Sequence, residues 1–131
     1  MNSEELTGGT NRDRWVDVSG SWGARNPERS KIAAKHITRG SRLLDLGAGT
    51  MLLKALLSEN CEYQPCDLFS RCPGCIVAGF NKGEFPIKEQ YDWVTLIGLL
   101  QFLDEPMVLM KKCNRIAENA VVTYSPIIHR R

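Results

Sequence analysis

Residues 42–54, R-L-L-D-L-G-A-G-T-M-L-L-K, constrain the fold of this chain more than any other stretch. Leu43, Leu44 and Leu46 make a short apolar run that Asp45 interrupts, and Gly47 and Gly49 end it where a strand would pass into a helix. Glycine accepts positive φ and lets a ligand approach the main chain, and a helix that follows such a turn starts with unpaired N–H groups. The shape is that of a phosphate- or nucleotide-type turn. Asp45, on the strand end just before the glycines, would repel an anionic phosphate. The expected ligand therefore carries a cationic or hydroxylated portion.

The rest of the chain reads as alternating strands and helices. Asn26-Pro27-Glu28 has the residues of a helix start, a cap, a first-turn proline and an acid at the positive dipole end. Ile32, Ala33, His36 and Ile37 form its expected inner stripe, and Gly40 stops it. Met51 to Leu57 has leucines at helical spacing. Residues 62–67 are the second strand, where Pro65 predicts an irregular or edge-like course. Asp67 ends that strand some 20 residues after the turn, the place from which an acid accepts ribose hydroxyls in open α/β sheets. Residues 68–74 are too few for a crossover helix, so a loop leads from Leu68 to the third strand, Ile76-Val77-Ala78. Trp93 to Ile97 reads as a buried central strand. A helix opening at Pro106 should turn Met107, Val108, Met110 and Ile116 inward and Lys111 and Lys112 outward. A fifth strand begins near Asn119 and stops at Pro126. The expected fold class is α/β, a Rossmann-like doubly wound three-layer sandwich of about five mainly parallel strands.

A chain of 131 residues, 43% of them hydrophobic, suits one compact domain. The expected division is a flexible leader over residues 1–13, where Thr7-Gly8-Gly9-Thr10 lies, and a single domain over 14–131 that starts with the large apolar Trp15, Val18 and Trp22. A formal charge of +2 without a long run of Lys and Arg argues against a nucleic-acid partner. No apolar run approaches a membrane span, and M-N-S-E-E-L lacks the features of a secretory signal. The expectation is a cytoplasmic protein with no membrane partner. Five cysteines cannot all pair within the chain, which favours reduced thiols. Cys72 and Cys75 alone have C-x-x-C spacing, but a strand-like run rather than a helix follows, and Cys61 and Cys66 are irregularly spaced for a second zinc knuckle. A Pro-Gly turn flanked by cysteines is the favoured reading, with no metal.

The Asp45, Gly47, Gly49 pattern resembles the first motif of the class I S-adenosylmethionine-dependent methyltransferases, in which the acid and the turn, Ala48 included, hold the methionine end of the cofactor. The family usually has a third glycine where this chain has Met51. A second resemblance lies in Glu84-Phe85-Pro86, then Tyr91-Asp92-Trp93-Val94, a buried strand, Gly98, Leu99-Leu100 and Asp104-Glu105-Pro106. It implies that Gly98 lets the chain turn beside the cofactor, that Leu99 and Gln101 face the cofactor mouth, and that Asp92 is a structural acid. A-R-N-P-E-R-S-K-I is similar to the segment before the first strand of several small-molecule methyltransferases. By that resemblance Arg25 reaches the methionine carboxylate, with Arg29 as the competing candidate. Relatives carry an acid or amide for the adenine amino group where Gly79 stands, so Asn81 or the backbone around Phe80 would substitute, with the Phe80 ring covering the adenine.

The resemblance covers about residues 15–126 and implies S-adenosylmethionine as cofactor and methyl transfer to an unidentified small-molecule acceptor, with positioning dominating the chemistry. No residue is compelling as a general base. Tyr124 is the best polar candidate, ahead of His36 and His129. Family members continue past the fifth strand with two more strands and an antiparallel hairpin, which this sequence lacks. A non-catalytic S-adenosylmethionine-binding module is therefore the alternative, and a homodimer or partner chain could complete the sheet edge. An NAD-dependent oxidoreductase fits less well, because the third glycine of G-x-G-x-x-G would fall on Leu52.

Overall fold

The computed structural model describes residues 27–58 and 60–124. The expected leader, Trp15, Val18, Trp22, Arg25, the Asn26 cap, the Ser125-Pro126 stop and His129 all lie outside the described residues. In chain order the elements are α1 (Pro27–His36), β1 (Arg42–Leu46), α2 (Leu52–Leu56), β2 (Glu62–Asp67), β3 (Ile76–Val77), β4 (Tyr91–Ile97), α3 (Pro106–Ile116) and β5 (Ala117–Thr123). Single 3₁₀ turns at Phe80–Lys82 and Leu100–Phe102 follow β3 and β4.

The five strands form one parallel sheet in the order β3-β2-β1-β4-β5. Leu43, Leu44 and Leu46 are fully buried, as a central strand covered on both faces requires. The pleat divides them. Leu43 packs with Ala33, Ile37 and Leu53 under α1 and α2, against the partly buried Trp93, Ile97 and Val121. Leu44 and Leu46 join Val94, Leu96, Leu109, Cys113 and Ile116 under α3. The result is the expected three-layer sandwich.

Pro65 lies in an interior strand, yet its missing N–H costs no ladder bond. β3 pairs only with Cys66 and Asp67, so at Pro65 the strand is locally an edge. The Pro65 carbonyl accepts from the Gln64 side-chain amide instead, at 2.9 Å.

Two helix registers differ from the expected ones. In α1 the buried residues are Ser30 and Ala33, with Ile37 just beyond, while Ile32 and His36 are exposed. A stripe through Ile32 and His36 would need the helix rotated away from Leu43. In α3 the inward face is Leu109, Cys113 and Ile116, a strict i, i+4, i+7 series. Met107 and Val108 lie off that stripe and stand 65% and 46% exposed. Met110 is only partly buried.

Asp92 is structural, as expected: its Oδ2 accepts the Arg42 N–H at 2.8 Å and ties the start of β1 to β4. Among the described residues no helix is long and apolar enough to cross a membrane.

Candidate functional site

β1 and β4 are neighbours, but β1 continues into α2 on one face and β4 into α3 on the other. Their outgoing loops diverge at the carboxyl ends and leave a crevice, the usual ligand position in an open α/β sheet. The chain reaches it with the 47–51 turn, the end of β2 at Asp67, and the end of β4 at Gly98.

The turn is built on backbone conformations that need glycine. Gly47 and Gly49 have φ of 76° and 56°. Met51, with φ 60°, is also left-handed, at the position where the resemblance expects a third glycine. α2 starts only at Leu52 and is five residues long, later and shorter than the leucine spacing suggests. The N–H groups of Gly47 and Ala48 both donate to the Cys66 carbonyl, at 2.8 and 3.2 Å. Gly49 N–H donates to Asp67 Oδ2 at 2.8 Å. Three turn donors are thus spent inside the protein, and an anion would not find them.

The crevice presents carboxylates. Asp45 is 3% exposed, and it accepts hydrogen bonds from Tyr63 Oη at 2.6 Å and Thr95 Oγ1 at 2.8 Å. Burial pushes its pKa up to about 6; the two hydroxyls pull it back, and the charge of Asp67 adds a smaller push upward. Burial and the same carboxylate drive the Tyr63 phenol well above its ordinary value, so it stays a donor. Sequence reasoning missed Tyr63 and Thr95. Their signal lies in strand register: Thr95 sits opposite Asp45 on β4, and Tyr63 is two residues before its β2 partner, Pro65. Residues in those places share one face of the pleat.

Asp67, at 1% exposure, bridges turn and loop. Besides Gly49, its Oδ1 accepts the Leu68 N–H at 2.7 Å, and Arg71 Nε lies 3.4 Å from Oδ2. Gly98 has φ 64°, and its N–H donates to Thr123 Oγ1 at 2.8 Å. A Cβ added there would lie 2.9 Å from Arg29 Nη1, so the α1 guanidinium rests on the end of β4. Of the two arginine candidates, Arg29 is therefore at the crevice, whereas Arg25 falls outside the described residues.

The remaining candidates are spread more widely. Leu99 is buried in the α3-face core and offers the crevice only backbone. Gln101 Oε1 is buried with no hydrogen-bond partner among the described residues. Phe80 packs on the α3-face core with its ring centroid 6.5 Å from that of Phe85. Asn81 clamps two loops, donating to the Phe102 carbonyl at 3.0 Å and accepting the Asp104 N–H at 2.9 Å. Glu84 folds back to accept the Gly79 N–H at 2.7 Å, which brings an acid to a position where the sequence shows none. Tyr124 follows β5 and is exposed. His36 is at the end of α1 that leads into β1, the opposite end of the sheet from the crevice. No cluster of three potential metal ligands occurs among the described residues.

No family model and no curated protein matches the chain by sequence. Solved structures do match. A protein from Nostoc punctiforme named as an O-methyltransferase superposes with a TM-score of 0.64 at 16% identity, over 82% of this chain and 40% of that one. A cyclopropane-fatty-acyl-phospholipid synthase-like protein from Lactobacillus casei gives 0.58 at 17% identity, over 75% and 48%. Coclaurine N-methyltransferase, solved with N-methylheliamine and S-adenosylhomocysteine, gives 0.54 at 18% identity, over 70% and 31%. The chain thus spans less than half the length of each. The likeness is one of fold: the parallel five-stranded α/β sheet of this chain superposes on these solved structures.

Proposed function

We propose that the crevice binds S-adenosylmethionine and that the chain serves methyl transfer to a small-molecule acceptor. The observation that carries this reading is the charge pattern at the switch point: a turn whose N–H donors are already bonded, flanked by the buried carboxylates Asp45 and Asp67. Such a site disfavours phosphate and favours a cationic ligand with hydroxyl groups. An ammonium or sulfonium charge would also relieve the cost of ionising Asp45.

The donor set fits the cofactor part by part. Asp45 and the 47–49 turn would hold the methionine end, with the Arg29 guanidinium beside Gly98 taking its carboxylate as a planar fork. Asp67 would accept the ribose hydroxyls, Arg71 moving aside as it does so. The unpartnered Gln101 carbonyl and the acid of Glu84 supply acceptors for an adenine amino group. Bound there, the cofactor contributes an electrophilic methyl group. The chain's own part is to orient it and to exclude water. Five free thiols suit a reducing, cytoplasmic setting.

The second reading, a binding module without transfer activity, draws on the exposure of Tyr124 and the remote position of His36, the two proton-transfer candidates among the described residues. Calorimetry with S-adenosylmethionine and S-adenosylhomocysteine tests binding, and a labelled-methyl assay over candidate small molecules separates the two readings. Absence of heat and of a melting shift with both compounds, together with no methyl transfer from S-adenosylmethionine, would refute the proposal.

A further inference from the structure

The loop that carries Arg71 onto Asp67 ends in the Cys72-Pro73-Gly74-Cys75 segment. Cys75 N–H donates to the Cys72 carbonyl at 3.3 Å, and Gly74 has φ 81°. With proline second and a left-handed glycine third, this is a type II turn, whose end Cα atoms lie within about 7 Å. A disulfide spans Cα separations of about 4.4 to 6.8 Å. The backbone therefore already holds the two cysteines at bridging range. Both thiols are free and half-buried, unlike the fully buried Cys66 and Cys113.

A second observation links this pair to the crevice. Cys72 Sγ lies 3.4 Å from Met51 Sδ, and Met51 is the left-handed residue that ends the glycine turn. Cys75 Sγ points elsewhere, toward the carbonyls of Phe69 at 3.7 Å and Ile76 at 3.5 Å. In the reduced state the Cys72 thiol thus props a strained residue. Bonded to Cys75, it would have to rotate off Met51.

We propose that Cys72 and Cys75 form a reversible thiol–disulfide modification site that exchanges with low-molecular-weight disulfides of the glutathione class, and that closing it loosens the glycine turn. One cysteine thiolate attacks a sulfur of the small disulfide, releasing one thiolate and leaving a mixed disulfide on the protein. The other cysteine then attacks the protein sulfur of that mixed disulfide and releases the second small thiolate. Two electrons pass to the small disulfide, and the two protein protons end on the two released thiols. The absence of a following helix, which counts against a catalytic dithiol, is no obstacle to a sensor of this kind. Burial raises the Cys75 thiol pKa, so exchange should quicken as the solution becomes more alkaline.

The test uses the full chain equilibrated with excess oxidised glutathione, and it does not require the crevice to bind anything. The five thiols should fall to three, with peptide mapping placing the bond between residues 72 and 75. Amide hydrogen exchange over residues 47–54 should accelerate by about threefold or more on oxidation and return on reduction. Cys72→Ser should show the faster exchange from the start, and with oxidised glutathione it should stop at a mixed disulfide on Cys75, forming no internal bond. Five surviving thiols, a bond that maps to another pair, or a closed 72–75 bond with unchanged exchange over 47–54 would each overturn the inference. Because these readouts involve no ligand, they leave the methyltransferase reading to its own binding test.

Discussion

Asp45 is the point at which the proposed function and the stability of the fold pull against each other. Its folded-state pKa of about 6 lies some two pH units above the ordinary 3.8, and at about 1.4 kcal/mol for each unit the ionised form costs the fold on the order of 3 kcal/mol. The sign follows from proton counting. Below pH 4 both folded and unfolded chains hold the proton. Between pH 4 and 6 the unfolded chain releases it while the folded chain keeps it, so stability is lost as pH rises through that window. Asp45→Asn keeps the shape and cannot titrate. The stability difference between variant and wild type, from urea unfolding at pH 4, 5, 6 and 7.5 at constant ionic strength, should therefore move in the variant's favour by about 3 kcal/mol across the range. Contributions of other groups cancel in that difference. A difference flat to within about 0.5 kcal/mol, or one moving the other way, would mean that the hydrogen bonds from Tyr63 and Thr95 outweigh burial and that Asp45 is an ordinary carboxylate. The same titration bears on function. The sulfonium-bearing cofactor should stabilise the wild type more at pH 7.5 than at pH 5, and more steeply with pH than its uncharged thioether product does.

Asp67→Ala should weaken S-adenosylhomocysteine binding by at least about 1 kcal/mol in calorimetry and also lower the melting temperature, because Gly49 N–H loses its acceptor. Asp67→Asn, which keeps an acceptor for Gly49, should restore most of the melting temperature; unchanged affinity in the alanine variant would remove Asp67 from the site. Met51→Gly should raise stability by up to about 1 kcal/mol in urea unfolding by relieving a left-handed non-glycine residue, and a clear loss would show that the thioether's packing on Cys72 matters more. Gly98→Ala should cost about 1 kcal/mol or more at φ 64°, and by pressing on Arg29 it should weaken binding of the amino-acid end of the ligand; a variant indistinguishable from wild type in melting and affinity would contradict both.

The sheet was legible because its signals are local. Leu43, Leu44 and Leu46 with the glycines beyond them, and the apolar run from Trp93 to Ile97, each specify a buried parallel strand without reference to the rest of the chain. The helix faces were less so. Ile32 and Met107 look like core residues by type, yet both are exposed, because they lie off the stripes that face the sheet and only packing decides which stripe turns inward. Asp45 and Asp67 were legible as acids at strand ends, because a single residue after a strand-like run marks that place. The site was hidden where the chemistry depends on register between strands or on a side chain folding back: Tyr63 and Thr95 on Asp45, Arg71 on Asp67, Glu84 on Gly79. None of those pairs has a sequence spacing that announces it.

The glycine turn shows why motif shape alone misleads about ligand charge. A turn of this outline binds phosphate when its N–H groups point into the crevice and nothing competes for them. Here Cys66, the last β2 residue before Asp67, takes two of those donors on its carbonyl, and the Asp67 carboxylate takes a third. The same bonds that close the turn thus remove its affinity for anions. They also pin Asp67 beside the strand that carries Asp45, where the second charge adds to the cost of the first. A dinucleotide would bring two phosphates to a place with two carboxylates and none of these three donors free, while an adenosyl sulfonium brings a cation and two hydroxyls. The electrostatics thus favour the same cofactor class as the glycine spacing, on independent grounds.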